Sequence, residues 1–188
     1  MGIIFNDLSN YFDGFTLDNF LSEEECKEYI NLAEGHGFHE AKVTTPDGQI
    51  MIKEIRNNDR VIIFNEEIAD RFFKKAQEFL PVIFGKKPIR CNECMRFYRY
   101  NPKQRFKWHF DGSYITPDRG EKSLISFLVY LNDDFEGGAT RFANCNVKPE
   151  TGSALAFMHG EKHEGGVIKS GTKYVIRTDI MYPMKYGD

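Results

Sequence analysis

"KSLISFLVYLNDDFEGGATRFA" occupies residues 122–143. A run rich in aliphatic and aromatic residues gives way to an acidic, glycine-bearing breaker, DDFEGG, and then to a second short run, GATRFA. Runs that carry β-branched and aromatic residues between turn-formers predict β-strands. The same rhythm extends in both directions after Pro88. CMRFYRY (94–100), RFKWHFD (105–111), GSALAFM (152–158), GGVI (165–168) and TKYVIRTDIMY (172–182) read as strands, separated by NPKQ, TPDRGE, VKPETG and KSG. Seven or eight closely spaced strands with no intervening helix predict a mainly β architecture: a sandwich, a jelly roll or a barrel.

The N-terminal part has a different period. LSEEECKEYINLAEGHGF predicts a helix with Ser22 as N-cap and Glu25 completing a capping box. Its apolar face is Cys26, Tyr29, Ile30 and Ala33, with Gly35 as a stop. A second helix starts at the cap Asn65, follows Ile68, Phe72, Ala76 and Phe79, and ends or bends at Pro81. Both helices are expected to flank the strands and pack on the outside of one sheet. No linker or repeat divides the chain. The expectation is one domain over 1–188, with 1–88 a helical support region and 89–188 the β core.

Composition narrows the function. A chain of 188 residues can bury a core without disulfide or metal staples. Lys and Arg number 25 against 28 Asp and Glu, a net charge of −3, so the basic footprint of a nucleic-acid binder is missing. Seventeen Phe and nine Tyr favour a β-rich core with aromatic-lined pockets. No apolar stretch approaches the roughly 20 residues of a membrane span. MGIIFNDLSNYF lacks a secretory pattern, and Gly2 is not followed by the Ser or Thr of a myristoylation signal. A soluble, cytoplasmic protein with no membrane or nucleic-acid partner is expected. Of Cys26, Cys91, Cys94 and Cys145, the middle two form C-x-x-C. No second pair completes a zinc knuckle, and a strand rather than a helix follows, so these read as ordinary thiols.

Chemistry concentrates in KWHFDGSY (107–114). Alternate residues of a strand share a face, so H-x-D aims His109 and Asp111 at one point. A third ligand is needed. His36 and His39 lie in the polar EGHGFHE and are expected to be solvated, whereas His159 and His163 follow a strand. Two histidines and one carboxylate leave three positions open on iron, as in non-haem oxygenases. Zinc accepts the same donors and would favour hydrolysis. A keto acid chelating iron would present a distant carboxylate to a basic side chain. Lys173 and Arg177 stand ten and fourteen residues after His163, and Lys173, Val175, Arg177 and Asp179 share one strand face.

Taken in order, HFD, GGATRF, GSALAF, HEGG and SGTKYV resemble the catalytic domain of the 2-oxoglutarate and Fe(II)-dependent oxygenases, in their prolyl 4-hydroxylase-like branch. The resemblance runs from Tyr100 to Tyr182, and GFTLDNFLSEEECKEYINLAE resembles the family's opening strand and helix. It implies a double-stranded β-helix (jelly roll) with flanking N-terminal helices. It also implies a dioxygenase that uses Fe(II), 2-oxoglutarate and O₂, with ascorbate as helper, and releases succinate and CO₂. The hydroxylated C–H would belong above all to a prolyl residue in a peptide or protein.

Residue by residue, the resemblance makes His109, Asp111 and His163 the iron ligands; His159 fits the spacing less well. Tyr100 matches a tyrosine that reaches the co-substrate, and Tyr130 stands where relatives bring a second phenol to its distal carboxylate. Lys173 is at the basic position. Arg177 departs from the pattern, because many relatives are neutral there; it pairs with Asp179, holds 2-oxoglutarate or meets substrate. The polar loops GSYITPDRGEKS and TTPDGQIMIKEIRNNDR are expected to form a lid or substrate groove. A metal-dependent hydrolase on the same donors, or a non-catalytic jelly-roll binding module, would use the same fold.

Overall fold

The computed structural model describes residues 2–45 and 48–184. Six strands lie before residue 65: β1 (Ile4–Asp7), β2 (Gly14–Asp18), β3 (His39–Glu40), β4 (Val43–Thr45), β5 (Gly48–Ile50) and β6 (Asp59–Phe64). Helix α1 (Glu23–His36) separates β2 from β3, and α2 (Glu66–Ala76) follows β6. Then come β7 (Arg90–Cys91), β8 (Cys94–Tyr100), β9 (Phe106–His109), β10 (Glu121–Tyr130), β11 (Glu136–Gly137) and β12 (Thr140–Phe142). The chain closes with β13 (Asn146–Val147), β14 (Ala154–Met158), β15 (His163–Gly165), β16 (Ile168–Ser170) and β17 (Lys173–Pro183).

Two facing antiparallel sheets give the architecture of a jelly roll, and β4–β5 and β11–β16 form two further two-stranded pairs. The large sheet runs β1-β2-β14-β10-β17-β8-β6-β3, with β7 also on β17; the small one runs β13-β12-β15-β9. Alternation on the long strands explains how both faces are filled. On β10, Ile125, Phe127 and Val129 join the core beneath the helices, while Leu128 and Tyr130 face the small sheet. On β17, Ile176 and Ile180 point to the helices, and Lys173, Val175 and Arg177 point inward. Cys26, Tyr29 and Ala33 of α1 and Ile68, Ala69, Phe72 and Ala76 of α2 cover the outer face. Fully buried Phe72 meets Phe20, Tyr29 and Phe127 edge-on. Its truncation to Ala belongs to the class of core changes that cost about 3–5 kcal/mol.

The caps are as expected: Ser22 and Glu25 form the capping box, and Asn65 accepts from the Ile68 N–H. Three details differ. Helix α1 runs through Gly35 and stops at Gly37, whose φ of 80° glycine tolerates and whose N–H donates to the Glu34 carbonyl. Helix α2 ends at Ala76, before Phe79 and Pro81. Residues 1–88, expected as helical support, also supply β1, β2, β3 and β6 to the large sheet. Of these, β2 is the opening strand that GFTLD resembles, whereas β6 had no clear signal, because it is short and half-exposed and pairs with β8 about thirty to forty residues away. The thiols of Cys91 and Cys94 are free and buried, and burial pushes both pKa values up. Neither is a ready nucleophile or ligand.

Candidate active site

The two sheets enclose a cavity lined by Tyr98, Tyr100, Leu128, Lys173, Val175 and Arg177 from the large sheet. Phe106, His109, Thr140, His163 and Gly165 line it from the small sheet, with Asp111 beside them. The small-sheet register sets His109 directly opposite His163, on β9 and β15, so residues far apart in sequence become cross-strand neighbours with ring centroids 4.2 Å apart. Asp111 is not on the strand face that alternation predicts. β9 ends at His109, the chain leaves the sheet at the exposed Phe110, and the turn carries the Asp111 carboxylate inward. One ligand atom from each of the three residues lies within 4.8 Å of the others.

The hydrogen bonds of the imidazoles decide their tautomers. His109 Nδ1 donates to the Lys107 carbonyl at 2.7 Å, and His163 Nδ1 to the Glu161 carbonyl at 2.9 Å. A carbonyl only accepts, so each Nδ1 carries the proton and each Nε2 lone pair is free. Those Nε2 atoms face Asp111, at 3.7 Å for His109 and 3.6 Å for His163. Burial, and then the neighbouring His163, push His109 down to about 3; burial likewise lowers His163. Burial opposes ionisation of Asp111, but Arg177, the two histidines and a hydrogen bond from Ser126 outweigh it and hold the carboxyl below the usual range. Two neutral imidazoles and one carboxylate, each oriented by an outer hydrogen bond, are a donor set that fits a divalent transition metal.

Across the cavity, Lys173 is 4% exposed. Its ammonium donates to the Gly138 carbonyl at 2.5 Å, and no carboxylate among the described residues pairs with it. Burial alone lowers it to about 7. The rings of Tyr130 and Tyr100 lie 5.1 and 5.7 Å from Nζ. Burial raises both phenols, so they stay protonated, and the Tyr130 hydroxyl is shared with Thr140 Oγ1 at 2.7 Å. A buried lysine without a counter-ion matches an anionic ligand that enters the cavity.

Arg177 is in the opposite situation. Its Nη2 donates to Asp179 Oδ1 at 2.8 Å and to Ser126 Oγ at 3.3 Å, and its Nε lies 3.3 Å from Asp111 Oδ2. Asp179 is also paired with Arg96 at 3.1 Å. His159 lies outside the three-residue cluster, bonded to Ser123 and Ser126. His36 and His39 are exposed, as expected. Sequence reasoning missed Ser126, Thr140, Tyr98 and Arg56. Thr140 stands in the quoted GGATRF, whereas Ser126 and Tyr98 had no signal beyond their strand face. Arg56 packs over the rings of Tyr98 and Phe106, 4.5 and 4.4 Å away, and its buried Nη2 has no hydrogen-bond partner among the described residues. Of the loop 44–60 that contains it, Pro46 and Asp47 lie outside the described residues.

A jelly roll whose cavity holds a neutral two-histidine, one-carboxylate cluster opposite a buried basic residue has the donor set that mononuclear non-haem metal oxygenases use. Residues 95–178 match the model of the 2OG-Fe(II) oxygenase superfamily. Prolyl 4-hydroxylase 1 of Arabidopsis thaliana is 26% identical over 184 residues, covering 84% of this chain and 65% of that protein. A relative from Acanthamoeba polyphaga mimivirus that carries a prolyl 4-hydroxylase name is 28% identical over 181 residues, covering 86% and 71%. The chain thus spans about two thirds of these relatives. Among solved structures, the viral collagen prolyl hydroxylase of Paramecium Bursaria Chlorella virus-1, in complex with 2OG, shares the fold. Its TM-score is 0.67 at 24% identity, over 95% of this chain and 100% of that one. Fe(II) and 2-oxoglutarate are the metal and co-substrate that this family and the cluster imply.

Proposed function

We propose that this protein is a 2-oxoglutarate-dependent dioxygenase that hydroxylates a C–H bond of a peptide or protein, a prolyl residue foremost. The observation that carries the reading is Lys173, a buried cation with no counter-ion among the described residues, in the same cavity as the metal-competent cluster. In this reading His109, Asp111 and His163 hold Fe(II). Lys173 meets the distal carboxylate of 2-oxoglutarate, with the Tyr100 and Tyr130 phenols as neighbouring donors. Arg177, already matched by two carboxylates, braces Asp111 instead. Fe(II) with 2-oxoglutarate and O₂ supplies the oxidation, which yields succinate and CO₂ as oxygen enters the substrate C–H, and ascorbate keeps the metal reduced. The protein's own work is to orient the co-substrate and exclude water with Leu128, Val175 and Phe106.

A peptide substrate is supported by the names of the relatives and by the surface beside Asp111. Phe110, Tyr114 and Ile115 are 61%, 43% and 52% exposed on the segment that follows the first ligand. Apolar side chains held in water beside a site form a docking rim. The test is succinate release from 2-oxoglutarate with Fe(II) and ascorbate, in the presence of a proline-containing peptide library analysed by mass. Coupled succinate and a gain of one oxygen atom on a peptide are expected, and both should vanish in His109→Ala and His163→Ala. Succinate without any oxidised peptide would reject the peptide substrate; no succinate under any condition would reject the oxygenase.

A further inference from the structure

His159 is 7% exposed, lies just beyond β14, and is used by neither the metal cluster nor the co-substrate end of the cavity. Both of its ring nitrogens are nevertheless engaged. Nδ1 is 3.0 Å from Ser126 Oγ, and Nε2 is 2.9 Å from Ser123 Oγ. Ser126 Oγ is 2.5 Å from Asp111 Oδ2, and Ser123 Oγ is 2.8 Å from the backbone nitrogen of Tyr114. Both serines are fully buried.

The two ends of this chain fix every proton between them. A carboxylate only accepts, so the Ser126 hydroxyl spends its one proton on Asp111 and must accept from His159 Nδ1–H. The neutral ring then offers Nε2 as an acceptor, which the Ser123 hydroxyl fills. Ser123 in turn accepts from the Tyr114 N–H, which only donates. The opposite tautomer would leave the Ser123 proton without an acceptor and strip Asp111 of its short hydrogen bond. All four hydrogen bonds therefore point toward Asp111, an arrangement in which each bond strengthens the next.

We propose that His159 is a positioning residue, which fixes the Asp111 carboxylate through Ser126 and ties it through Ser123 to the 112–120 loop. The loop beside the site and the metal-binding carboxylate then form one hydrogen-bonded unit. Histidine suits the place because its two nitrogens, on opposite sides of a rigid ring, donate and accept at once. This inference rests on the reading of His109, Asp111 and His163 as a metal site, and its test separates the two.

Co(II) is titrated into the apoprotein and followed by its visible absorption. Loss of an outer-sphere partner of a metal ligand weakens affinity by about 10- to 100-fold. His159→Leu and Ser126→Ala should each show that loss. His159→Asn, which keeps an N–H near the Nδ1 position, should bind near the wild-type level. Amide hydrogen exchange at Tyr114 should accelerate in Ser123→Ala and His159→Leu, and less in Ser126→Ala. Should His159→Leu fail to fold, Ser126→Ala and His159→Asn decide. Wild-type affinity in Ser126→Ala, or an Asn variant that loses the full affinity, overturns the proposal, and unchanged exchange at Tyr114 overturns its loop half. A wild-type chain that does not take up Co(II) overturns the metal reading, and this inference with it.

Discussion

Lys173 and Arg177 stand four residues apart on one face of β17, and they differ in what surrounds them. Arg177 is flanked by Asp111 and Asp179, so its charge is matched before any ligand enters. Lys173 has one carbonyl and two aromatic rings. Hydrogen bonds to charged groups contribute roughly 1.5–3 kcal/mol, and stranding a buried partner loses more. Lys173→Ala should therefore raise the 2-oxoglutarate KM by about tenfold or more, since about 1.4 kcal/mol is one decade. Co(II) affinity should change little. Arg177→Ala should do the reverse, lowering metal affinity and stability more than co-substrate affinity. Steady-state kinetics and metal titration on the two variants decide it; a mild Lys173→Ala beside an Arg177→Ala that cannot bind 2-oxoglutarate would exchange their roles.

At the scale of the element, the turn from β11 into β12 sets where the Lys173 ammonium rests. Gly138, in the GGATRF stretch, has φ of 66° and gives its carbonyl to that ammonium. A Cβ there would lie 2.5 Å from Ile168 Cδ1, 2.9 Å from the Phe135 ring and 3.2 Å from Lys173 Cδ. Gly138→Ala thus combines a left-handed backbone, which costs a non-glycine residue about 1–3 kcal/mol, with a push on the lysine stem. Denaturant unfolding should show a loss of about that size, and the 2-oxoglutarate KM should rise while Co(II) affinity stays near wild type. An unchanged KM would mean that the turn does not position Lys173.

For the whole molecule, the buried titratable groups give stability a definite pH dependence. His109, His159 and His163 are held neutral by burial, with pKa values lowered from the ordinary one. The unfolded chain takes up these protons near pH ~6.5. Below that value it binds more protons than the folded chain, so stability falls as pH falls. Asp111, lowered in the folded state, adds a further loss below its unfolded value of about 4. Lys173 acts on the alkaline side. Between its folded value of about 7 and an unfolded value near ~10.4, only the unfolded chain keeps the proton, so its contribution to stability rises with pH. Binding of 2-oxoglutarate has the opposite slope, because it needs the ammonium: its Kd should climb above pH 7, by at most about tenfold per pH unit. Urea midpoints of the apoprotein across pH, and calorimetric Kd values for wild type and Lys173→Met, test both signs. A Kd that is flat from pH 7 to 9 would exclude Lys173 as the titrating anchor.

The local features were legible in the sequence. Capping at Ser22 and Asn65, the short strands after Pro88 and the inward face of β17 follow from period, spacing and turn chemistry, which neighbouring residues set among themselves, whereas the order of HFD, GGATRF, HEGG and SGTKYV carried meaning through the family resemblance. The pairing of His109 with His163 could be expected only through the family resemblance, since the strand register that sets it joins distant segments. What the tertiary structure alone decided is what each polar group faces. It placed Asp111 beyond the strand end, gave Arg177 two carboxylates and Lys173 none among the described residues, set Arg56 over Tyr98 and Phe106, and ran a hydrogen-bonded line from Tyr114 through His159 to Asp111. A side chain's chemistry is written in the chain, but its counter-ion and hydrogen-bond partners come from strands and loops far away in sequence. Only packing brings those together.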